Sequence, residues 1–80
     1  MTLTLAIGKT VHRLRTENNM SMRMLSGVVS HGHLSTIERG LKETSNSMVE
    51  SLAKGFGMTT ASFLKEVITE LEEHSDGDLY

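Results

Sequence analysis

A polar face between Ser30 and Thr36 carries the side chains best suited to chemistry in this 80-residue chain. Hydroxyls and imidazoles both donate and accept hydrogen bonds, and a glycine lets a ligand approach the backbone closely. Leu34 and Ile37 interrupt the face at i,i+3 spacing, which predicts a helix with one apolar side. A small core does not require such a polar face, so the pattern indicates a binding surface. Its members are Ser30, His31, Gly32, His33, Ser35 and Thr36.

Catalysis and metal binding are not predicted. The chain has no cysteine, and zinc needs three or four ligands within tetrahedral reach. His31 and His33 point to different sides of one helix, while His12 and His74 lie on other elements. No Ser-His-Asp arrangement, glycine-rich phosphate loop or paired-carboxylate cleft is visible. We therefore expect a protein that is not an enzyme and that uses no metal or cofactor.

The polar face belongs to a longer organised stretch, residues 21–40 (SMRMLSGVVSHGHLSTIERG). Ser21 and Ser30 can each cap a short helix through the hydroxyl, and Gly40 can end the second helix in the left-handed conformation. Apolar residues in both halves allow the two helices to pack against one core. This layout is typical of a helix-turn-helix pair, whose second helix enters the major groove of DNA.

Three segments of the chain resemble the Cro/repressor (XRE-type) helix-turn-helix family. LSTIERG is similar to the end of the family's recognition helix, IGKTVHRLRTENNMS to its first helix and turn, and TSNSMVESLAKGFGM to its fourth helix and the following turn. The similarity runs from Ile7 to Leu64, and ERGLKETS further resembles the actinobacterial Clp-gene regulators. With the residue patterns, the resemblance implies an all-α, five-helix domain that binds double-stranded DNA and regulates transcription.

The expected DNA ligands lie in and beside the recognition helix. His31 and His33 offer ring donors or acceptors to base edges, and the hydroxyls of the polar face serve bases or phosphates. Arg23 before this helix and Lys42 after it are the expected phosphate ligands, because electrostatic contacts flank the groove.

Arg15 lies near the apolar stripe of the first helix, which is an unusual place for a cation. The resemblance implies that its partner is Glu38, near the end of the recognition helix. A partly buried pair of this kind would lock the two helices together. The alternative is two separate surface charges.

The helix-turn-helix stretch departs from the family in its length. From Ser21 to Ser30 the chain is about two residues shorter, and Gly27 is the one turn residue available. The sequence therefore predicts either a shortened second helix or a rebuilt turn. Both alternatives alter the angle between the paired helices.

Charge is divided unevenly along the chain, whose net charge is −2 at pH 7. Residues 1–42 hold six Lys or Arg and two acidic residues, a net charge of +4, whereas residues 43–80 carry −6. The basic half contains the helix pair, which fits a protein with one face toward phosphate; ordinary charge scatter is the alternative. We assign residues 1–73 to one DNA-binding domain and residues 74–80 to an acidic, disordered tail.

The predicted fifth helix, running from Thr59 or Thr60 to about Glu73, carries more apolar surface than a small core needs. Its apolar residues form two ridges, of which one can pack on the fourth helix and the other on a second subunit. The alternative is that both ridges cover the core of one monomer. The expected dimer interface comprises Phe63, Leu64, Val67, Ile68 and Leu71.

Together these patterns favour a cytoplasmic, sequence-specific transcriptional regulator that binds a roughly palindromic operator as a homodimer. The sequence has no transmembrane run, and its start, MTLTLAIG, lacks the basic flank of a signal peptide. The alternative function is a protein-interaction module of the antitoxin or anti-repressor type, with weak or lost DNA binding on the same fold. The acidic net charge favours this alternative slightly.

Overall fold

The computed structural model describes residues 1–25, 27 and 29–74, and all regular structure among them is helical. The predicted all-α class is therefore confirmed. Of the predicted tail, residues 75–80 lie outside the described part of the chain. Among the described helices, none combines the length and apolar character needed to cross a membrane. In chain order the elements are α1 (Leu3–Glu17), a 3₁₀ helix (Met22–Leu25), α2 (His31–Glu38), α3 (Asn46–Gly55) and α4 (Thr60–Glu73).

Each α-helix begins at a hydroxyl cap. The side-chain oxygen of the cap accepts a hydrogen bond from the backbone N–H three residues later, at 3.0 to 3.3 Å. Such a bond satisfies one of the orphan donors of the first turn and stabilises a helix by about 1 kcal/mol. The caps are Thr2, Ser30, Ser45 and Thr59, and the sequence predicts Ser30 as a cap.

Three of the turns that follow helices use a left-handed residue. Asn19, with φ 54°, reverses the chain after α1, Gly40, with φ 67°, does so after α2, and Gly57, with φ 70°, after α3. Asparagine and glycine tolerate this conformation better than other residues. A Cβ at position 40 would also lie 2.7 Å from the side chain of Leu5, so glycine suits both the backbone and the space.

The core is built around α1, which packs against α2 on one side and against α4 on the other. Its apolar residues recur at helical spacing, and Ala6, Ile7, Val11 and Leu14 are all buried. α3 closes the core at one end, where the rings of Phe56 and Phe63 stack with centroids 6.4 Å apart. This arrangement makes α1 the element through which α2 and α4 are connected.

The second of the five expected helices is a single 3₁₀ turn, Met22–Leu25. The short segment between Ser21 and Ser30 must place both Leu25 and Val29 in the core, where they are 0% and 4% exposed. A 3₁₀ turn rises more per residue than an α-helix, so it can bury Leu25 and still reach the next cap. The fold thus has four α-helices and a shortened second element within the described residues.

Two residues assigned to the dimer interface lie instead in the core of the single chain. Phe63 and Val67 are 0% and 1% exposed because their side of α4 packs against the rest of the domain. They are therefore not available to a second subunit, and their assignment to the interface is wrong. Leu64 and Ile68 point away from the core and are exposed, whereas Leu71 is half-buried.

Candidate nucleic-acid interface

α2 is held by its apolar side and leaves its polar side uncovered. Leu34 and Ile37 are 0% and 1% exposed, and they anchor the helix in the core. The six residues of the polar face lie on this eight-residue helix and its cap. Ser30, His31 and Gly32 are exposed, and His33, Ser35 and Thr36 are half-buried. The structure therefore leaves the cap and the start of α2 open to solvent, while the other three residues are partly covered.

The hydrogen-bonding groups of the polar face differ in how far they are engaged. The Thr36 hydroxyl donates to the Gly32 carbonyl at 2.9 Å, so its oxygen serves an outside partner as an acceptor. The Ser30 hydroxyl oxygen accepts from the His33 backbone N–H at 3.3 Å. Gly32 is open: a Cβ built there would meet nothing within 4 Å. A ligand can thus approach the first turn of α2 down to the backbone.

A basic cleft of about 880 Å³ opens beside the start of α2. Two guanidinium groups, an imidazole and a hydroxyl line it; the guanidinium of Arg15 donates inside the protein, and the groups of Arg23, His31 and Ser21 are donors of the kind that suits phosphate oxygens. The predicted phosphate ligand Arg23 therefore stands next to the polar face, while Lys42 is exposed in the connection after α2. The lining residues are Arg15, Ser21, Met22, Arg23 and His31.

Arg15 and Glu38 form a two-pronged ion pair that joins α1 to α2. Arg15 Nε donates to Glu38 Oε2 at 2.7 Å, and Arg15 Nη2 donates to Glu38 Oε1 at 3.0 Å. Nη1 of the same guanidinium donates to the Met20 carbonyl at 3.0 Å. The two side chains are 16% and 6% exposed, so the pair is largely removed from water. α2 is therefore fixed to α1 through a directional contact.

The electrostatics of this pair favour its charged form. Burial alone would raise the pKa of the Glu38 carboxyl, but hydrogen bonds from Arg15 and His12 outweigh it and hold the pKa below its usual value. The hydrogen bond to Glu38 also raises the pKa of Arg15. His12, with Nδ1 3.0 Å from Glu38 Oε1, is a third member that the sequence did not indicate.

Gly8 is a second contact between α1 and α2 that the sequence did not indicate. A Cβ at this position would lie 2.3 Å from the Ile37 carbonyl oxygen and 3.0 Å from that of Glu38. Only a glycine allows the two helices to approach this closely. The available signal was an isolated glycine inside an otherwise helical apolar pattern, which often marks close packing.

Within the described part of the chain, one cluster of potential metal ligands occurs, and it lies away from α2. Glu70, Glu73 and His74 place their ligand atoms within 4.8 Å of one another at the end of α4. Glu70 is already engaged, because its Oε1 accepts from Arg13 Nε at 2.8 Å. The cluster thus offers a cation mostly exposed groups, and neither His31 nor His33 belongs to it.

Comparison with known proteins finds relatives among solved structures, whereas no family model and no curated protein matches the chain. The clp gene regulator ClgR from C. glutamicum is 30% identical, with 89% of this chain and 95% of that one covered and a TM-score of 0.79. A second structure of ClgR, from Corynebacterium glutamicum, is 29% identical over 99% and 87% of the two chains, with a TM-score of 0.82.

The fold also occurs in a more distant protein. The wild-type restriction-modification controller protein C.Esp1396I is 21% identical over 92% of this chain and 99% of that one, with a TM-score of 0.82. At this identity the likeness concerns the fold alone. The similarity to ClgR extends over nearly the whole of both chains. The chain therefore belongs to the Cro/repressor (XRE-type) helix-turn-helix family, together with the clp gene regulator ClgR.

Proposed function

We propose that the protein is a sequence-specific, DNA-binding transcriptional regulator whose α2 enters the major groove. The observation that carries this proposal is that the cap and the start of α2, Ser30 to Gly32, are exposed while Leu34 and Ile37 anchor the helix in the core. A helix of this kind meets the groove with its first turn, and here that turn contains His31, Gly32 and His33. The name of ClgR, a gene regulator, supports the same assignment.

The polar face supplies different kinds of DNA contact. His31 and His33 are the candidates for base edges, since each imidazole offers a donor or an acceptor. Gly32 permits close approach of the backbone, the Ser35 hydroxyl can donate to a phosphate or a base, and the Thr36 oxygen, whose hydrogen is bonded to the Gly32 carbonyl, can accept from a base. Ser30, the N-cap residue of α2, is the remaining member of the proposed DNA-contacting face.

Phosphate contacts are proposed on both sides of α2. Arg23 lines the basic cleft before the helix and Lys42 is exposed after it, so the two cations flank the proposed groove contact. The net charge of +4 over residues 1–42 supports this placement, although the whole chain is acidic. Because Glu38 is paired with Arg15 inside the domain, its negative charge opposes DNA binding less than an exposed carboxylate would.

We further propose that two copies bind a roughly palindromic operator as a homodimer through α4. Leu64 and Ile68 are 41% and 52% exposed, stand one turn apart, and form the apolar ridge that a second subunit would cover. Two-fold symmetry would place the two α2 helices about 34 Å apart, one turn of DNA.

A protein-interaction module remains the second candidate, and two observations favour it. The 3₁₀ turn replaces the helix that precedes the recognition helix, and the net charge of the chain is −2. A module of this kind would keep the fold and lose affinity for nucleic acid.

Salt-dependent binding to random duplex DNA separates the two candidates. The regulator is expected to bind at low salt and to lose affinity steeply as salt rises from roughly 50 to 200 mM, because binding releases counterions from DNA. Replacing Arg23 and Lys42 by glutamine should lower the salt slope by about 2, one unit for each phosphate contact. Lys65→Gln, at an exposed position on α4, serves as the control for lost charge. Absence of binding by the wild type at low salt would favour the interaction module.

Ile68→Glu is expected to convert the dimer into a folded monomer. The side chain is 52% exposed in the single chain, so a carboxylate there should destabilise the folded monomer little. In the dimer the same carboxylate would be buried in the apolar contact between the subunits, which is unfavourable. Sedimentation velocity, with far-UV circular dichroism to check folding, measures the outcome. Thr69→Glu, at the next exposed position, is the control and should leave the dimer intact. A wild type that is already monomeric at high concentration would contradict the proposed dimer.

A further inference from the structure

Arg13 holds α4 against α1 with a fork of hydrogen bonds. Its Nε donates to Glu70 Oε1 at 2.8 Å, and its Nη1 lies 3.0 Å from Glu66 Oε1. Glu66 and Glu70 are four residues apart, so the guanidinium spans one full turn of α4. A third carboxylate, Glu17 on α1 itself, lies 3.6 Å from Nη1.

The Arg13 contact is a constrained one rather than a loose surface pair. The side chains of Arg13 and Glu70 are 30% and 6% exposed. The hydrogen bond to Glu70 is the main cause that raises the pKa of Arg13, against the opposing effect of burial. The planar guanidinium binds two carboxylates one turn apart, so it opposes both sliding and rotation of α4. Apolar packing is less directional and opposes these movements less.

α1 is held just as directionally to the recognition helix. Arg15, two residues after Arg13, pairs with Glu38, and Gly8 lies against the Ile37 carbonyl. The two arginines of α1 therefore bind different neighbouring helices: Arg15 binds α2, and Arg13 binds α4. Through these two contacts, α1 links α4 to α2.

We propose that Arg13 is a positioning residue that sets which spacing between two operator half-sites the dimer accepts. This inference rests on the proposed function, namely DNA binding by α2 and dimerisation through α4. If α4 carries the two-fold axis, its angle to α1 determines the separation and tilt of the two recognition helices. Fixing that angle gives the dimer one preferred half-site spacing, because the spacing of half-sites mirrors the geometry of the dimer.

The test measures spacing preference separately from half-site recognition. The probes are duplexes that carry two copies of the half-site recovered from random DNA by the wild type, with spacers varied over about one helical turn, roughly 10 base pairs. The variants are Arg13→Met, which removes the fork, and Arg13→Lys, which keeps a charge beside Glu70 but not the planar double contact. Lys9→Met, at an exposed position of α1, is the matched control. Thermal melting and sedimentation establish that each variant folds and dimerises.

The wild type and Lys9→Met are expected to bind the best spacing at least about tenfold more tightly than one displaced by half a turn. In Arg13→Lys and Arg13→Met this ratio should fall below about threefold, with the base preference within each half-site unchanged. A ratio that stays at the wild-type value in the folded, dimeric Arg13→Lys variant would overturn the role of Arg13 and leave the proposed function intact. A wild type that binds no DNA would overturn the proposed function itself and the inference with it.

Discussion

Replacing Arg15 by methionine is expected to lower the free energy of unfolding by about 3 to 5 kcal/mol, the largest single effect we anticipate. The substitution keeps the apolar stem but leaves the Glu38 carboxylate, 6% exposed, without its principal partner. It also removes the bond from the guanidinium to the Met20 carbonyl. Chemical denaturation of the two proteins measures the difference, and unequal slopes would reveal an altered unfolded state.

A double-mutant cycle shows whether the loss belongs to the pair. Glu38→Gln should also destabilise the domain, because the guanidinium then lacks a charged acceptor. The double variant should lose less stability than the sum of the two single losses. With both side chains replaced, no buried charge is left without a partner. Strictly additive losses would mean that Arg15 and Glu38 do not interact in solution.

The contribution of Glu38 to the free energy of unfolding depends on pH, and the direction of its pKa shift gives the sign of that dependence. The folded state holds the pKa of Glu38 below its ordinary value, so the unfolded chain binds more protons in acid. The stabilisation from Glu38 is therefore fully present above the unfolded value of about 4.3, and it is lost as the pH falls through the folded pKa. The advantage of the wild type over Glu38→Gln should shrink across that window.

Gly8→Ala is expected to destabilise the domain by about 3 kcal/mol, at the upper end of what overpacking by one methyl costs. The new Cβ would lie 2.3 Å from the Ile37 carbonyl oxygen, which is backbone and cannot swing aside as a flexible side chain can. α2 must then shift along α1, so we expect DNA affinity to fall as well. Thermal melting and binding to duplex DNA measure the two effects.

Gly32→Ala is the matched control, because it adds the same methyl group on α2 where nothing lies within 4 Å. In stability it should be neutral or better by up to about 1 kcal/mol, since alanine favours the helix more than glycine does. Its DNA affinity should nevertheless fall if the backbone of the first turn approaches the groove. Equal melting temperatures for Gly8→Ala and the wild type would contradict the close packing of α1 on α2.

The parts of the fold predicted from the sequence are those encoded locally. Hydroxyl caps at Ser30 and Ser45 identify where helices begin, because the capping bond joins residues three apart in the chain. Ile7, Val11 and Leu14 recur at helical spacing in the first helix, and all three are buried. These features depend on near neighbours and therefore appear in the sequence itself.

The features that the sequence did not indicate depend on tertiary packing. Which ridge of α4 faces the core is decided by α1, so the helical pattern alone did not separate the buried Phe63 and Val67 from the exposed Ile68. Gly8 shows its role only when the Ile37 carbonyl lies opposite it. The shortening of the second helix was visible as a short interval between caps, but the 3₁₀ geometry required the core position of Leu25.

The contacts of α1 illustrate the same limit in the candidate site. The pairing of Arg15 with Glu38 was expected because a known family has residues of this type at matching places. Arg13 has no such signal, and its two carboxylate partners on α4 lie more than fifty residues further along the chain. Long-range electrostatic contacts of this kind follow from the packing of helices and not from any local pattern.

Selection of bound sequences from a pool of random duplex DNA tests most directly whether α2 reads DNA. The wild type is expected to enrich one roughly palindromic motif whose half-sites lie about one helical turn apart. A variant with both His31 and His33 replaced by alanine, checked for unchanged melting temperature, should enrich different bases or none. Recovery of no motif by the wild type, or of the same motif by both proteins, would contradict the assignment of α2 as the recognition helix.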